Sequence, residues 1–425
     1  MLNLAHVRLV TGVLLFGALA AAGLAKAAPA VQHVLYPEQL VREVLVRNPE
    51  LVVQDAAYDE ATARLDAAGA LQDPTLSYMS APATIGLAMG YRQSIEISQH
   101  IPWPGTLTLR RAAAHADATS ARYQISDLRL KLAAEARAAY ADWYYVHRAI
   151  AINDSSIILV ERLKNVVRTA YEVGKKSQRD VLQADVELLR LQNQALELVR
   201  RQHVVRAKIN TLLDFSPERP VAVPTTLPVE VYVPHFTDLK RAALSQYPAL
   251  RGLGANVRAN SERVKLARDA LYPSFTLFAG ENTFMSPAPM QPDVGVSLNI
   301  PIGGRHEGEV EEAHARLRRS EADVIALRAQ LLDTLEGSLA GVKQARASLS
   351  LYNRQLVPLS DLSLKTAEAD YGAGTGDFHK LIVAEQQDLL IKLERARTRA
   401  DLYTRLAALD YETGGAVFTT REQHP

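Results

Sequence analysis

Two spacings of hydrophobic and polar positions alternate along the chain. Long stretches repeat apolar residues at intervals of three and four, the spacing of one helix face. Four short stretches alternate every second residue, as a strand does. The first spacing predicts helices from about Pro37 to Ala70, Gly105 to Tyr171 and Ser177 to Leu213. It does so again from about His235 to Leu271, Gly304 to Tyr371 (where Pro358 is the one proline) and Asp377 to Tyr411. Within them run coiled-coil-like seams of seven-residue period: Leu335, Val342, Leu349 and Leu356, with Ala345, Tyr352 and Leu359 interleaved. Trp143, Val146, Ile150, Ile157, Val160 and Val167 form another, and Leu389, Leu393, Ala396, Ala400 and Tyr403 a third. The second spacing predicts strands at Leu76–Ser80, Tyr91–Ser98, Phe275–Gly280 and Val294–Ile300. Tyr91, Ile95 and Ile97 fall on one face, with Arg92, Ser94, Glu96 and Ser98 on the other. Val294, Val296 and Leu298 alternate more cleanly against Ser297 and Asn299.

These elements occur twice. Pro49, Pro74, Pro102 and Gly174 recur as Pro248, Pro273, Pro301 and Gly374, at separations of 199, 199, 199 and 200 residues. Four punctuation marks at one spacing define an internal repeat. Each copy reads helix, hairpin, long helix, turn, helix. The expected organisation is a first repeat over 28–213, a proline-rich linker over 214–234, a second repeat over 235–413 and a tail over 414–425. The linker carries Pro217, Pro220, Pro224, Pro228 and Pro234, too many for a helix or a central strand. The long helices reach roughly 100 Å and the short ones roughly 50 Å, so two short helices stacked end to end match one long partner.

Composition narrows the function. The 425 residues are 48% hydrophobic, yet beyond the first 25 or so no apolar run is long enough to form a membrane-spanning helix. Lys plus Arg (48) nearly cancels Asp plus Glu (47), which argues against a nucleic-acid partner. Zero cysteine excludes disulfides, thiolate chemistry and an N-terminal lipid on cysteine. Arg8, the apolar stretch Leu9–Ala25 and the small residues Ala25 and Ala27 predict an export signal over 1–27, with cleavage after Ala30 as the alternative. An exported chain gives the alternating strands a second reading. Apolar on one side and polar on the other, they suit a transmembrane β-barrel as well as a soluble half-buried hairpin. Four strands cannot close a barrel, and lipid does not tolerate an open edge, so other subunits would complete it. Two copies would give eight strands and three would give twelve.

The duplicated series, with Asn48-Pro49-Glu50-Leu51, Tyr247-Pro248-Ala249-Leu250, Pro102-Trp103-Pro104-Gly105 and the two glycine turns, resembles the TolC-type outer membrane efflux proteins over nearly the whole chain. The segment from Ser98 to Arg110 is similar to the branch that exports heavy-metal cations beside pumps of the RND class. The resemblance implies a mainly α chain with a small β part. It implies a homotrimeric α-helical barrel topped by a 12-stranded transmembrane barrel, in the outer membrane of a Gram-negative-type cell. The implied partners are a periplasmic adaptor, an inner-membrane RND pump and outer membrane lipid. The implied function is a passive exit duct for heavy-metal cations, with drugs, organics or a secreted polypeptide as other cargoes. A coiled-coil scaffold or adhesin without a pore is the reading of a different class.

The resemblance also assigns sites. Val173, Gly174, Lys175, Ala373, Gly374 and Thr375 match the helix-hairpin tips that meet the adaptor. Where relatives carry aspartates narrowing the duct mouth, this chain has Lys380 and Val383, with Asp377 and Asp180 nearby. Lys380 is expected to pair with Asp377 or to point outward. The lipid face is expected to hold Tyr91, Ile95, Ile97, Val294, Val296 and Leu298. No catalytic constellation stands out, so neither enzyme activity nor a cofactor is expected. The cluster of His306, Glu307, Glu309, Glu311, Glu312 and His314 lacks metal-ligand spacing and reads as an ordinary acidic first turn.

Overall fold

The computed structural model describes residues 34–81, 92–282 and 289–419. The expected signal peptide, Tyr91 and the loops around 82–90 and 283–288 lie outside the described residues.

Each repeat starts with two helices where one was expected. After β1 (Val34–Leu35), α1 (Pro37–Arg47) and α2 (Pro49–Ala68) meet at Asn48-Pro49. Proline disfavours helical backbone in the residue before it, and Asn48 takes φ −64°, ψ 123°. Its side chain accepts the Glu50 N–H at 2.9 Å and donates to the Leu212 carbonyl at 3.1 Å. The break is therefore both a cap and a tie to a distant helix. In the second repeat the same break, at Tyr247-Pro248, separates two further helices.

The hairpin strands β2 (Thr75–Ala81) and β3 (Arg92–Ile101) precede a 67-residue helix, α3 (Thr106–Glu172), about 100 Å long. A glycine turn leads into α4 (Gln178–Leu212). The proline-rich linker forms no helix and contributes only β4 (Val223–Pro224), parallel to β1. Side chains from the helices staple it in place. Tyr140 receives the Thr225 N–H, Trp143 donates to the Ala222 carbonyl, Arg399 to that of Leu227 and Arg346 to that of Val231. The second repeat follows as α5 (Phe236–Gln246), α6 (Pro248–Asp269), β5 (Ser274–Glu281), β6 (Pro292–Asn299) and α7 (Arg305–Leu351). A single π-helical turn (Tyr352–Leu356), α8 (Val357–Gly372), α9 (Phe378–Glu412) and α10 (Ala416–Thr419) complete it.

Beside α3 the short helices take turns. Gly252 of α6 lies against Tyr123 and Ser120, and Arg263 pairs with Asp117. Further along, Asn153 bonds to α4 and Arg137 to α9. The core is Leu, Ala and aromatic, with Leu40, Val44, Ala136, Tyr140, Ile209, Leu335, Tyr403 and Leu406 fully buried. The first seam has one unexpected member. Asn153 is buried seven residues from both Val146 and Val160, and its amide donates to the Leu191 carbonyl at 3.2 Å.

The α7–α8 seam departs from expectation. Leu335, Val342, Ala345 and Leu349 are buried as the heptad requires, but Leu359 is 62% exposed. Beyond the π turn the inward positions are Ser360, Leu364, Ala367 and Tyr371, each one residue later than the original phase. Pro358 supplies the reason. It cannot donate to the carbonyl four residues back and would clash with it. Wider winding, with the Val357 N–H bonded to the Tyr352 carbonyl, adds one residue to the turn and advances the seam by one.

The four hairpin strands form one antiparallel sheet, β2-β3-β5-β6, so the two repeats join through β3 and β5. Its strands are displaced slightly from expectation: β3 runs on to Ile101, and β6 starts at Pro292 and stops at Asn299. Proline is tolerated there because β6 is an edge at its first residue. On one face Gly295 sits opposite Phe278, whose ring occupies the space a Cβ would need.

Candidate functional site

Three features gather the residues with functional potential: the two turns at the far end of the helices, a buried polar layer above them, and the sheet. The first turn closes α3 with crossed hydrogen bonds. The Gly174 N–H reaches the Tyr171 carbonyl and the Lys175 N–H that of Ala170, both at 2.8 Å, with Gly174 at φ 71°. The second repeats this with Gly374 at φ 81°, its N–H on Tyr371 and that of Thr375 on Asp370, both at 3.1 Å. Gly376 has no room for a Cβ against the backbone of Asp370 and Tyr371. Val173, Gly174, Lys175, Ala373, Gly374 and Thr375 are all exposed.

The two tips are tied together by contacts the sequence reading missed. Lys176 lies 4.3 Å above the Tyr371 ring, and Gln183 hydrogen-bonds His379 at 2.9 Å. Leu163, Val167, Ala184, Tyr371, Phe378, Leu381 and Ile382 pack into a cluster beneath them.

The residues expected near a duct mouth have local duties. Asp180 forms a capping box with Ser177, and Asp377 caps α9 by accepting the His379 N–H. Lys380 is exposed and, among the described residues, makes no ion pair with Asp377, whose carboxylate is turned to the helix end instead. Val383 is exposed one turn further along.

Between α3, α4, α8 and α9 lies a buried polar layer. Glu187 receives hydrogen bonds from Arg190 and from Gln386, and Asp388 receives them from Ser360 at 2.8 Å and Lys392 at 2.6 Å. Glu385 is 1% exposed, and among the described residues neither carboxyl oxygen meets a partner in strict hydrogen-bonding geometry, although the Ser156 side chain lies beside it. Burial pushes its pKa up to about 7; Ser156 of α3 and Arg190 oppose the shift, and the charges of Glu187 and Asp388 add to it. It lines a cavity of about 270 Å³ with Arg148, Ser156, Asp388 and Lys392. The layer had one sequence signal, acidic residues at the inward positions between Ile382 and Leu389.

In the sheet, register places Leu76, Ile97, Ala279 and Val294 side by side. The same face carries Tyr78, Ile95, Ile101, Phe275, Leu277, Val296 and Leu298, and the other carries Ser77, Ser94, Glu96, Ser98, Thr276, Ser297 and Asn299. Five expected lipid-face residues thus share one face, and among them Ile97, Val294, Val296 and Leu298 are strongly exposed. Among the described residues no His, Asp or Glu group converges as a metal site. His306 and Arg305 pair with Glu309, Arg316 with Glu312, and His314 bonds Arg268.

The family model for outer membrane efflux proteins matches residues 40–213 and 239–415, one span in each repeat. The chain belongs to the outer membrane efflux protein family. Two curated relatives are 27% identical over 227 residues: the probable efflux pump outer membrane protein SepC and the toluene efflux pump outer membrane protein TtgF, both from Pseudomonas putida. Each match covers 51% of this chain and 45% of the relative, so it spans about half the length of either. Among solved structures, the outer membrane protein VceC of Vibrio cholerae aligns over 89% of this chain and 96% of its own, at TM-score 0.76 and 17% identity. CusC aligns over 89% and 92% at TM-score 0.79 and 16% identity, and the outer-membrane channel OprN over 89% and 90% at 0.74 and 21%. At such identities the likeness is one of fold. This family member is thus a mainly helical chain with the fold of the outer membrane channels.

Proposed function

We propose that the chain is the outer membrane component of a tripartite efflux system, a passive duct assembled from three copies and driven by an inner-membrane RND pump through a periplasmic adaptor. One observation carries the reading: a four-stranded sheet with one exposed apolar face, whose outer strands β2 and β6 each join one neighbouring strand among the described residues. Such a sheet suits lipid on its apolar side and water on the other. Its edges call for further strands, and three copies supply twelve. The exposed tips are then the adaptor contacts, and Asp180, Asp377, Lys380 and Val383 stand near the mouth. With Asp180 and Asp377 engaged as caps and Lys380 exposed, selectivity falls to the pump rather than to an acidic ring.

Heavy-metal cations are the cargo favoured by the segment from Ser98 to Arg110. Organic solvents are the second reading, favoured by the match to a toluene efflux pump outer membrane protein. Purified protein in a planar bilayer is expected to give stable unitary conductance as a trimer; a folded oligomer that never conducts would overturn the duct. Metal against toluene tolerance in a host lacking its own outer membrane channels separates the cargoes.

A further inference from the structure

We propose that Trp103, stacked with Tyr272 and Phe275, and Ile302 form an anchor seated among phospholipid headgroups at the membrane surface nearest the helices. The proposal rests on the membrane reading of the sheet and fixes where that membrane ends. The observation is an apolar column that outruns its strand. Val294, Val296 and Leu298 belong to β6, which stops at Asn299, yet the alternation continues through Ile300 and Ile302. Both ends are bare, Val294 at 82% and Ile302 at 87% exposure. Beyond the ladder, pairing no longer explains an apolar residue at every second position, and a turn in water would be polar there.

The first repeat carries a matching column with one polar member, Gln99, whose amide donates to the Gln72 carbonyl. Ile95, Ile97, Gln99, Ile101 and Trp103 each stand 199 residues before Val294, Val296, Leu298, Ile300 and Ile302. From Val294 to Ile302 the chain spans about 27 Å at strand rise. With the tilt of barrel strands, that covers most of an apolar band about 25 Å tall. Both columns end at a glycine in left-handed backbone, Gly105 at φ 98° and Gly303 at φ 106°. Immediately after Gly304, Arg305, His306 and Glu307 open α7, so the switch from apolar to charged takes three residues. Such a boundary is where aromatic rings with one polar edge settle. Trp103 lies nearly flat on Tyr272, with centroids 4.8 Å apart and planes inclined by 13°, and 6.2 Å from Phe275. The stack joins the first repeat to the second, and Tyr272 and Leu271 beside it are exposed.

The chain has two tryptophans, and the other, Trp143, is buried in the helical part with its indole N–H on the Ala222 carbonyl. Trp143→Phe therefore leaves Trp103 as the sole reporter; should that variant fold poorly, wild type minus Trp103→Phe gives the same signal. The full chain is reconstituted in phosphatidylethanolamine–phosphatidylglycerol vesicles whose lipids carry a nitroxide on the headgroup, or bromine near the carbonyl or near the terminal methyl. Trp103 emission should be quenched at least about twofold more by the headgroup and carbonyl-level probes than by the terminal-methyl probe, the depth order of an interfacial ring. Strongest quenching at the terminal methyl overturns the anchor, as does quenching by aqueous iodide with none from lipid. Protection from every probe also overturns it, because another subunit then covers the ring. The same vesicles are assayed for conductance. Conducting vesicles with an unquenched Trp103 refute the anchor alone, whereas protein that neither inserts nor conducts removes the membrane reading and the anchor with it.

Discussion

Glu385 is a buried carboxyl whose desolvation outweighs what Ser156 and Arg190 contribute to its charged form. Its pKa of about 7 in the fold stands above the ordinary 4.5, so folding favours the protonated form. The stability this contributes is complete below about pH 4.5 and is lost as pH rises toward 7, where the native carboxyl must also ionise. Ser156 faces it from α3, Glu187 and Arg190 from α4, and Asp388 from its own helix. Replacing it by glutamine removes the charge and keeps the shape. Glu385→Gln should raise the thermal midpoint at pH 8 by roughly 2–5 °C and leave it nearly unchanged at pH 4.5. Calorimetry across that range checks the sign, and equal midpoints at pH 8 would refute it. Glu412, with its pKa also pushed up to about 7 by burial, will leave a residual slope in both proteins. Single residues were legible where a short rule applies, as with Gly174 and Gly374 at turns. Asn153 and Glu385 were not, because a polar residue at an inward position reads as a break in the pattern until neighbouring helices are in place.

At the scale of elements, the punctuation at Pro49, Pro248 and Pro358 was visible, but its consequences were not. A proline can end a helix or wind it differently, and packing partners decide which. At Asn48 the side chain caps the break and ties it to Leu212. At Pro358 the helix continues, because one π turn keeps Leu349 and Tyr371 inward on either side of the slip. That account can be tested by removing the extra residue. Deleting Arg354, an exposed position within the π turn, restores α winding and brings the Pro358 ring against the carbonyl four residues back. The deletion alone should cost about 3 kcal/mol. Combined with Pro358→Ala it should recover most of that loss, since α winding then satisfies both flanking seams. Denaturant unfolding by circular dichroism reads the difference; a double variant no more stable than the deletion would show that the π turn has another cause.

Across the whole molecule, what the fold leaves exposed is as informative as what it buries. The 199-residue repeat made the order of elements readable. The linker strap was opaque, because it is held by donors from helices far along the chain, among them Trp143, Arg346 and Arg399. On α4 a second heptad seam faces solvent: Leu182, Val186, Leu189 and Leu196, spaced four, three and seven apart, are all strongly exposed. Its inward counterpart, with Ala184, Leu188, Leu191 and Leu198, is already buried within the chain. A helix apolar along two opposite faces needs two partners, and one chain supplies one. In the trimer proposed above, the second partner is a neighbouring copy, and each copy contributes the same seam. Each leucine buried there contributes about 1.5–3 kcal/mol, so a charge in mid-seam acts once at every interface of the ring. Val186→Asp combined with Leu189→Asp should shift detergent-purified protein from trimer to monomer in light scattering while helical circular dichroism is retained. The paired change Val173→Asp and Lys175→Glu, confined to a tip, should leave the trimer intact and abolish adaptor cross-linking. A trimer that survives the seam variant would mean that the sheet edges alone hold the copies together.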